Sequence, residues 1–197
     1  MPILRSSPAS PFARKARIAA LVTGAPVTVV DTDTRAPDPA FYDENPLGKI
    51  PVLVLDDGTT VYDSPIILDY LDHLAGGGVL IPTETAARFA ALKLQALADG
   101  LMDAALLQVY EVRFRPEARR HPEWVSWQAA KVARALDFLE GTPPGPEVDV
   151  GTIAVACALG YLDLRFDGRW RQNHPRLVAW LDAFAAAVPA FEATRAV

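Results

Sequence analysis

The sequence predicts an α/β half followed by an all-α half, and three observations carry that reading. Residues 1–75 alternate short β-branched runs with helical stretches. A glycine-rich connector, "AGGGVLIPTE", follows them. Beyond it the apolar spacing is helical and no strand pattern returns.

The elements follow in order. "PILRS" is a short apolar strand, and from Phe12 to Leu21 apolar residues recur at helical spacing until Gly24 and Pro26 stop the helix. "VTVVD" is strand-like, and "PAFYDENPLG" reads as a short irregular helix ending in a turn. "IPVLVLDDGTTVYD" is two apolar runs around Asp57-Gly58, a hairpin signal. "SPIILDYLDHL" is helical, with Ile66, Ile67, Tyr70, Leu71 and Leu74 on one stripe. The order is β-α-β-α-β-β-α.

From Thr83-Glu84 a long helix runs through Phe89, Leu92, Leu97, Leu101, Ala105 and Tyr110. A second, from about Glu123, is expected to bury Trp124, Trp127, Val132, Leu136 and Leu139, and "GTPPGP" ends it. "DVGTIAVACALGYLDLRF" is apolar on nearly all sides, as the centre of a bundle should be. Asp149 can cap it, with Val148 and Ile153 at the positions of a hydrophobic staple. Two more helices follow, Pro175 to Val188 and after Pro189. The expected division is 1–76, a linker 77–84, and a helical domain 85–197.

Composition bounds the function. The 197 residues are 51% hydrophobic, ample for a core, and 19 basic against 24 acidic residues give a net charge of −5. That balance argues against a nucleic-acid surface, which needs clustered excess positive charge. The run Arg113, Arg115, Arg119 and Arg120 reads as a solvated helix end. Cys157 is the single cysteine, so no internal disulfide and no oxidising compartment is needed. Neither a signal-peptide core nor an uninterrupted apolar stretch of about 18 residues is present, so a cytoplasmic protein without a membrane partner is expected. His73, His121 and His174 show no metal-ligand spacing and match no nucleophile-elbow pattern. No metal is expected.

Three stretches carry chemistry. In "SSPASPFARK", Ser7 and Ser10 have the i, i+3 spacing at which redox proteins place two cysteines, but hydroxyls cannot exchange disulfides. Ser10-Pro11 is a helix start, and a hydroxyl at that positive terminus can donate to a bound thiolate. In "NPLGKIPVL", Pro51 opens a strand after a candidate cis bond and leaves the Ile50 N–H and C=O free to pair with a peptide-like ligand. "YDSPIILDYL" repeats the Ser-Pro start at Ser64-Pro65 behind Asp63, a pairing suited to a group with both a carboxylate and an ammonium.

With these stretches in this order, joined by "ALADGLMDA", "RALDFLEG" and "CALGYLDLRF", the chain resembles the glutathione transferase superfamily over essentially its whole length, within a bacterial subgroup of small transferases. The resemblance implies an N-terminal thioredoxin-like domain and a C-terminal helical bundle. It implies glutathione as co-substrate, a small electrophile as acceptor, a homodimer and a role in detoxification. It makes Ser10 the residue that activates the thiol, with Ser7 or a backbone N–H as alternatives. Lys49 would face the glycyl carboxylate, Ile50 before Pro51 would pair with the cysteinyl backbone, and Asp63 and Ser64 would hold the γ-glutamyl group. Asp63 stands where many relatives have glutamate, one methylene longer. Asp149 with Thr152 reverses the usual order of the bundle cap. Tyr110, Arg113 and Phe114 are expected to line an acceptor pocket, and Asp99 or Asp103 to reach a partner's glutathione. The competing expectation is a non-catalytic binding or regulatory protein of the same fold.

Overall fold

The structure, a computed structural model, describes residues 1–196. Its N-terminal half runs β1 (Ile3–Ser6), α1 (Pro11–Thr23), β2 (Thr28–Asp31), α2 (Phe41–Glu44), β3 (Val52–Val54), β4 (Thr60–Val61) and α3 (Ser64–Leu74). The helical half holds α4 (Thr85–Phe114), α5 (Pro122–Gly141), α6 (Val150–Phe166), α7 (Pro175–Ala187) and α8 (Pro189–Ala193). The sheet order is β2-β1-β3-β4, with β1 parallel to β2 and the other pairs antiparallel. This is the β-α-β-α-β-β-α unit and helical bundle that the order of elements predicted, and the thioredoxin-like domain that the resemblance implied.

Local chemistry fixes the helix starts that matter. Ser10 caps α1, its Oγ accepting from Ala13 N at 3.2 Å, and Pro11 supplies a preset φ at the first helical position. Helix α1 ends at Gly24, whose φ of 70° a β-carbon would disfavour. The reversed cap of α6 works in both directions. Asp149 Oδ1 accepts from Thr152 N at 2.9 Å, and Thr152 Oγ1 accepts from Asp149 N at 2.9 Å.

Helix α1 lies between the sheet and the bundle, packed on α3 and α6. Leu4, Leu53, Ile18, Ile67 and Leu71 close the first core, each contributing roughly 1.5–3 kcal/mol by leaving water. Helix α6 is buried along its first three turns and crosses α4 closely. A β-carbon on Gly151 would come within 2.7 Å of the Ala91 carbonyl oxygen, so only glycine permits that crossing.

Helical period located faces but misjudged some of them. Trp124 and Trp127, expected inside, stand at the exposed start of α5, and Gln128, Val132, Leu136 and Leu139 form its buried side. On α3 the buried set is Ile67, Leu68 and Leu71, with Ile66 and Leu74 outside. Phe89 on α4 is also exposed. The α3 stripe is rotated by about one residue, while Val132, Leu136 and Leu139 on α5 and Leu101 and Ala105 on α4 are buried as expected, because tertiary packing selects the face once the period has made a helix available.

The two halves are clamped at their connection. Asp72 near the end of α3 is buried, and its carboxylate accepts from the backbone N–H groups of Gly78, Val79 and Leu80 at 3.0, 2.8 and 2.5 Å. The Leu80 carbonyl then accepts from Val150 N at the start of α6. Charge-assisted bonds of this kind are the stronger sort. Asp72→Ala is expected to destabilise the protein by about 3 kcal/mol in urea unfolding, against less than about 0.5 kcal/mol for the exposed control Asp69→Ala. Equal effects of the two substitutions would remove the clamp from this account.

Candidate functional site

The turn before α1 presents one hydroxyl at a helix terminus. Ser10 Oγ spends a lone pair on Ala13 N, and its proton goes to no acceptor among the described residues. The Ser10 N–H is fixed by the Ser7 carbonyl at 3.1 Å, which sets the turn's shape. A capping serine can accept and donate at once, so the cap leaves the donor available.

A second loop brings up Lys49, Ile50 and Pro51. The Ile50–Pro51 bond is cis, as is Tyr62–Asp63. Ile50 N–H and C=O take no backbone partner among the described residues, while Lys49 is exposed. The loop is held by Asn45, which is buried. Its Nδ2 donates to the Lys49 carbonyl at 2.8 Å, and its Oδ1 accepts from Leu47 N at 3.0 Å. Sequence reasoning missed Asn45, although an Asn-Pro-Leu-Gly turn was its signal.

The third element is the start of α3. Asp63 caps it by accepting from Ser64 N, and Ser64 is fully buried with an Oγ that finds no partner among the described residues. An unpaired buried hydroxyl is costly, and a ligand carboxylate arriving there would satisfy it.

Facing these loops, α4 supplies two carboxylates from the same chain. Asp99 pairs with the Lys15 ammonium, whose side chain is fully buried in α1. Burial pushes the Asp99 carboxyl up, and Lys15 pulls it only part of the way back. Asp103 is raised by burial and by Asp99, with Lys49 opposing and Asp63 adding to the effect. Lys49, Asp63, Asp99 and Asp103 therefore share one electrostatic neighbourhood. Three carboxylates against Lys15 and Lys49 leave it net acidic. Asp99, expected with Asp103 as a candidate to reach a partner's glutathione, pairs with Lys15 within its own chain.

A cavity of about 300 Å³ opens beside Ser10, between the Pro8–Pro11 turn and α6, α7 and α8. Tyr110, Arg113 and Phe114 do not line it. They gather at the exposed end of α4, with Phe114 edge-on to Tyr110 at 5.0 Å and Arg113 over Tyr110 at 5.7 Å. Tyr161 joins the two regions, since it lines the cavity while the charges of Arg165, Tyr110 and Arg113 act on its phenol. Burial is the main cause that raises that phenol's pKa. Cys157 also touches the cavity, but burial pushes its thiol up to about 12, so it is no nucleophile. Arg113, Arg115, Arg119 and Arg120 form the solvated corner expected of them, Arg115 pairing with Glu111. No helix among the described residues is long and apolar enough to cross a membrane.

Comparison with known proteins identifies the family and the fold. Residues 4–78 match the family described as glutathione S-transferase, N-terminal domain, and residues 95–183 match its C-terminal domain. The uncharacterized GST-like protein YibF of Escherichia coli K12 is 37% identical over 175 residues, 86% of each chain. A glutathione transferase family member from Pseudomonas fluorescens Pf-5, solved with bound glutathione, superposes with a TM-score of 0.91 at 42% identity over the full length of both chains. A structure from the same organism with bound S-(propanoic acid)-glutathione has a TM-score of 0.87 at 40% identity, again over both full chains. By sequence, fold and the order of its site elements, this chain belongs to the glutathione S-transferase family.

Proposed function

We propose that this protein is a working glutathione transferase that activates the glutathione thiol for attack on a small electrophile. The observation that carries the proposal is the uncommitted Ser10 hydroxyl at the capped N-terminus of α1. A thiolate placed there meets an O–H donor and the positive end of the helix, both of which favour its charged form. The sulfur lone pair then forms the bond to the electrophilic carbon. The leaving group departs with the electron pair of its broken bond, or an activated alkene moves its π pair to the next carbon and takes a proton from solvent. Ser10 stays a donor throughout and forms no covalent bond.

The rest of the tripeptide is assigned to the neighbouring loops. Lys49 takes the glycyl carboxylate, and the free Ile50 backbone groups ahead of Pro51 pair with the cysteinyl unit. The orphaned Ser64 hydroxyl takes the γ-glutamyl carboxylate, and Asp63 takes its ammonium within the net acidic neighbourhood of α4. The relative solved with S-(propanoic acid)-glutathione carries a thioether of the kind such a reaction makes. Tyr110, Arg113 and Phe114 border the outer acceptor side, toward Tyr161. A reducing compartment such as the cytoplasm suits a chain whose single cysteine is buried and free.

The test is retention on immobilised glutathione followed by turnover of a panel of electrophiles. Retention with turnover supports the proposal, and retention without turnover of any electrophile favours a binding protein. Ser10→Ala is expected to lower turnover at neutral pH about tenfold or more, while glutathione affinity changes little. A rate equal to wild type would remove Ser10 from the mechanism and turn attention to Ser7 or a backbone N–H.

We further propose a homodimer. Exposed Ile66 on α3 and Phe89 on α4 are apolar groups that a second copy would cover. Sedimentation is expected to give twice the 21.3 kDa chain mass at about micromolar concentration. The chain mass, unchanged on concentrating the sample, would contradict it.

A further inference from the structure

The cavity beside Ser10 contains an incompletely matched cation. Arg14 is 7% exposed, yet every group it bonds is neutral. Its Nη2 donates to the Phe191 carbonyl at 2.6 Å, its Nε donates to Thr194 Oγ1 at 3.3 Å, and the guanidinium lies 4.1 Å from the centre of the Phe191 ring. The other two arginines of the wall are already paired, Arg171 with Asp163 at 2.7 Å and Arg195 with Glu192 at 3.5 Å. Among the described residues no carboxylate pairs with Arg14. Burial lowers its pKa, as it must for a buried charge whose partners are neutral, and Cys157 and Glu192 offset this only in part.

One edge of this guanidinium is free. Arg14 Nη1 donates to no described residue and lies over Gly160, where a β-carbon would stand 2.5 Å away. Only glycine at 160 leaves room for the guanidinium there, and Nη1 keeps its hydrogens unspent. Arg14 also follows Ser10 by one helical turn, its N–H bonded to the Ser10 carbonyl at 3.0 Å, so both residues face the same side of α1.

Resting on the glutathione-transferase reading, we infer that this cavity receives a carboxylate carried by the acceptor substrate, with Arg14 as its anchor. The volume of about 300 Å³ admits a short chain ending in a carboxylate. Asp163 and Glu192 are spent on Arg171 and Arg195, which leaves Arg14 as a single cation without a carboxylate partner among the described residues, a match for one negative charge rather than a dianion such as a phosphate. The electrophilic carbon of such an acceptor would lie between Arg14 and the sulfur held at Ser10. The selected substrates are small electrophilic carboxylic acids, and the products are glutathione thioethers that keep the acid.

Calorimetric binding of two stable conjugates to the full chain tests this. One carries propanoic acid on the sulfur of glutathione, and the other carries the isosteric propanamide. Wild type is expected to bind the acid about tenfold more tightly, the worth of one bond to a charged group. Arg14→Gln is expected to bring the two affinities together while glutathione itself binds as before. Should that variant fail to fold, Gly160→Ala decides alone, because it keeps the cation and favours the helix but puts a β-carbon 2.5 Å from Nη1, so that the guanidinium must leave its place and the preference for the acid is expected to fall. Equal affinities in wild type, or a preference that survives in the variant, would overturn the inference. Failure of wild type to bind glutathione at all would instead overturn the glutathione reading, and this inference with it.

Discussion

The structure depends on the burial of two adjacent cations in the first helix. Lys15 is fully buried and Arg14 nearly so, in a helix otherwise built to pack through Ala13, Ala16, Ala19 and Ala20. Burying a charge costs several kcal/mol unless it is paired and bonded. Lys15 answers this cost with Asp99 on α4, and Arg14 with the Phe191 carbonyl and Thr194 at the far end of the bundle. Neither cation can be satisfied by the N-terminal half alone. Helix α1 is therefore fixed against the helical domain from both sides, and its capped start at Ser10 is held where the halves meet. The Asp72 clamp does the same at the connection.

That placement divides the work of the site. In the proposed reading, the helix start offers a hydroxyl and a partial positive charge to a sulfur anion. The Asn45-pinned loop offers free backbone groups, and the α3 start offers a carboxylate beside an orphaned hydroxyl. The acidic side, with Asp63, Asp99 and Asp103, lies toward α4, while the arginine-bearing cavity lies toward α6 and α8. The head-group side is thus net acidic, while the cavity side balances three arginines against three carboxylates and leaves Arg14 without a carboxylate partner among the described residues.

What was legible in the sequence was local. Ser10-Pro11 and Asp149 with Thr152 declare helix starts through bonds spanning only a few residues and cap them as expected, whereas the start at Ser64-Pro65 is capped one residue earlier, by Asp63. Asp57-Gly58 declared its hairpin in the same way. The illegible parts depend on distant partners. Nothing near Lys15 announces that residue 99 will bury it, and nothing near Arg14 points to residues 191 and 194. Trp124 and Trp127 looked buried because a helical stripe names a face, and only packing against α4 settles which face it is. The family became legible through a resemblance carried by several motifs in one order, since each motif alone is also an ordinary cap or strand start.

The most direct test of the central claim is the thiolate absorbance of bound glutathione, titrated against pH in wild type and Ser10→Ala. A cysteine thiol ionises near about 8.5 when nothing perturbs it. Bound to wild type, the thiol should ionise at least about one unit lower, and Ser10→Ala should return it upward by a similar amount, each unit being worth ~1.4 kcal/mol. Superimposable curves for the two proteins would contradict the account.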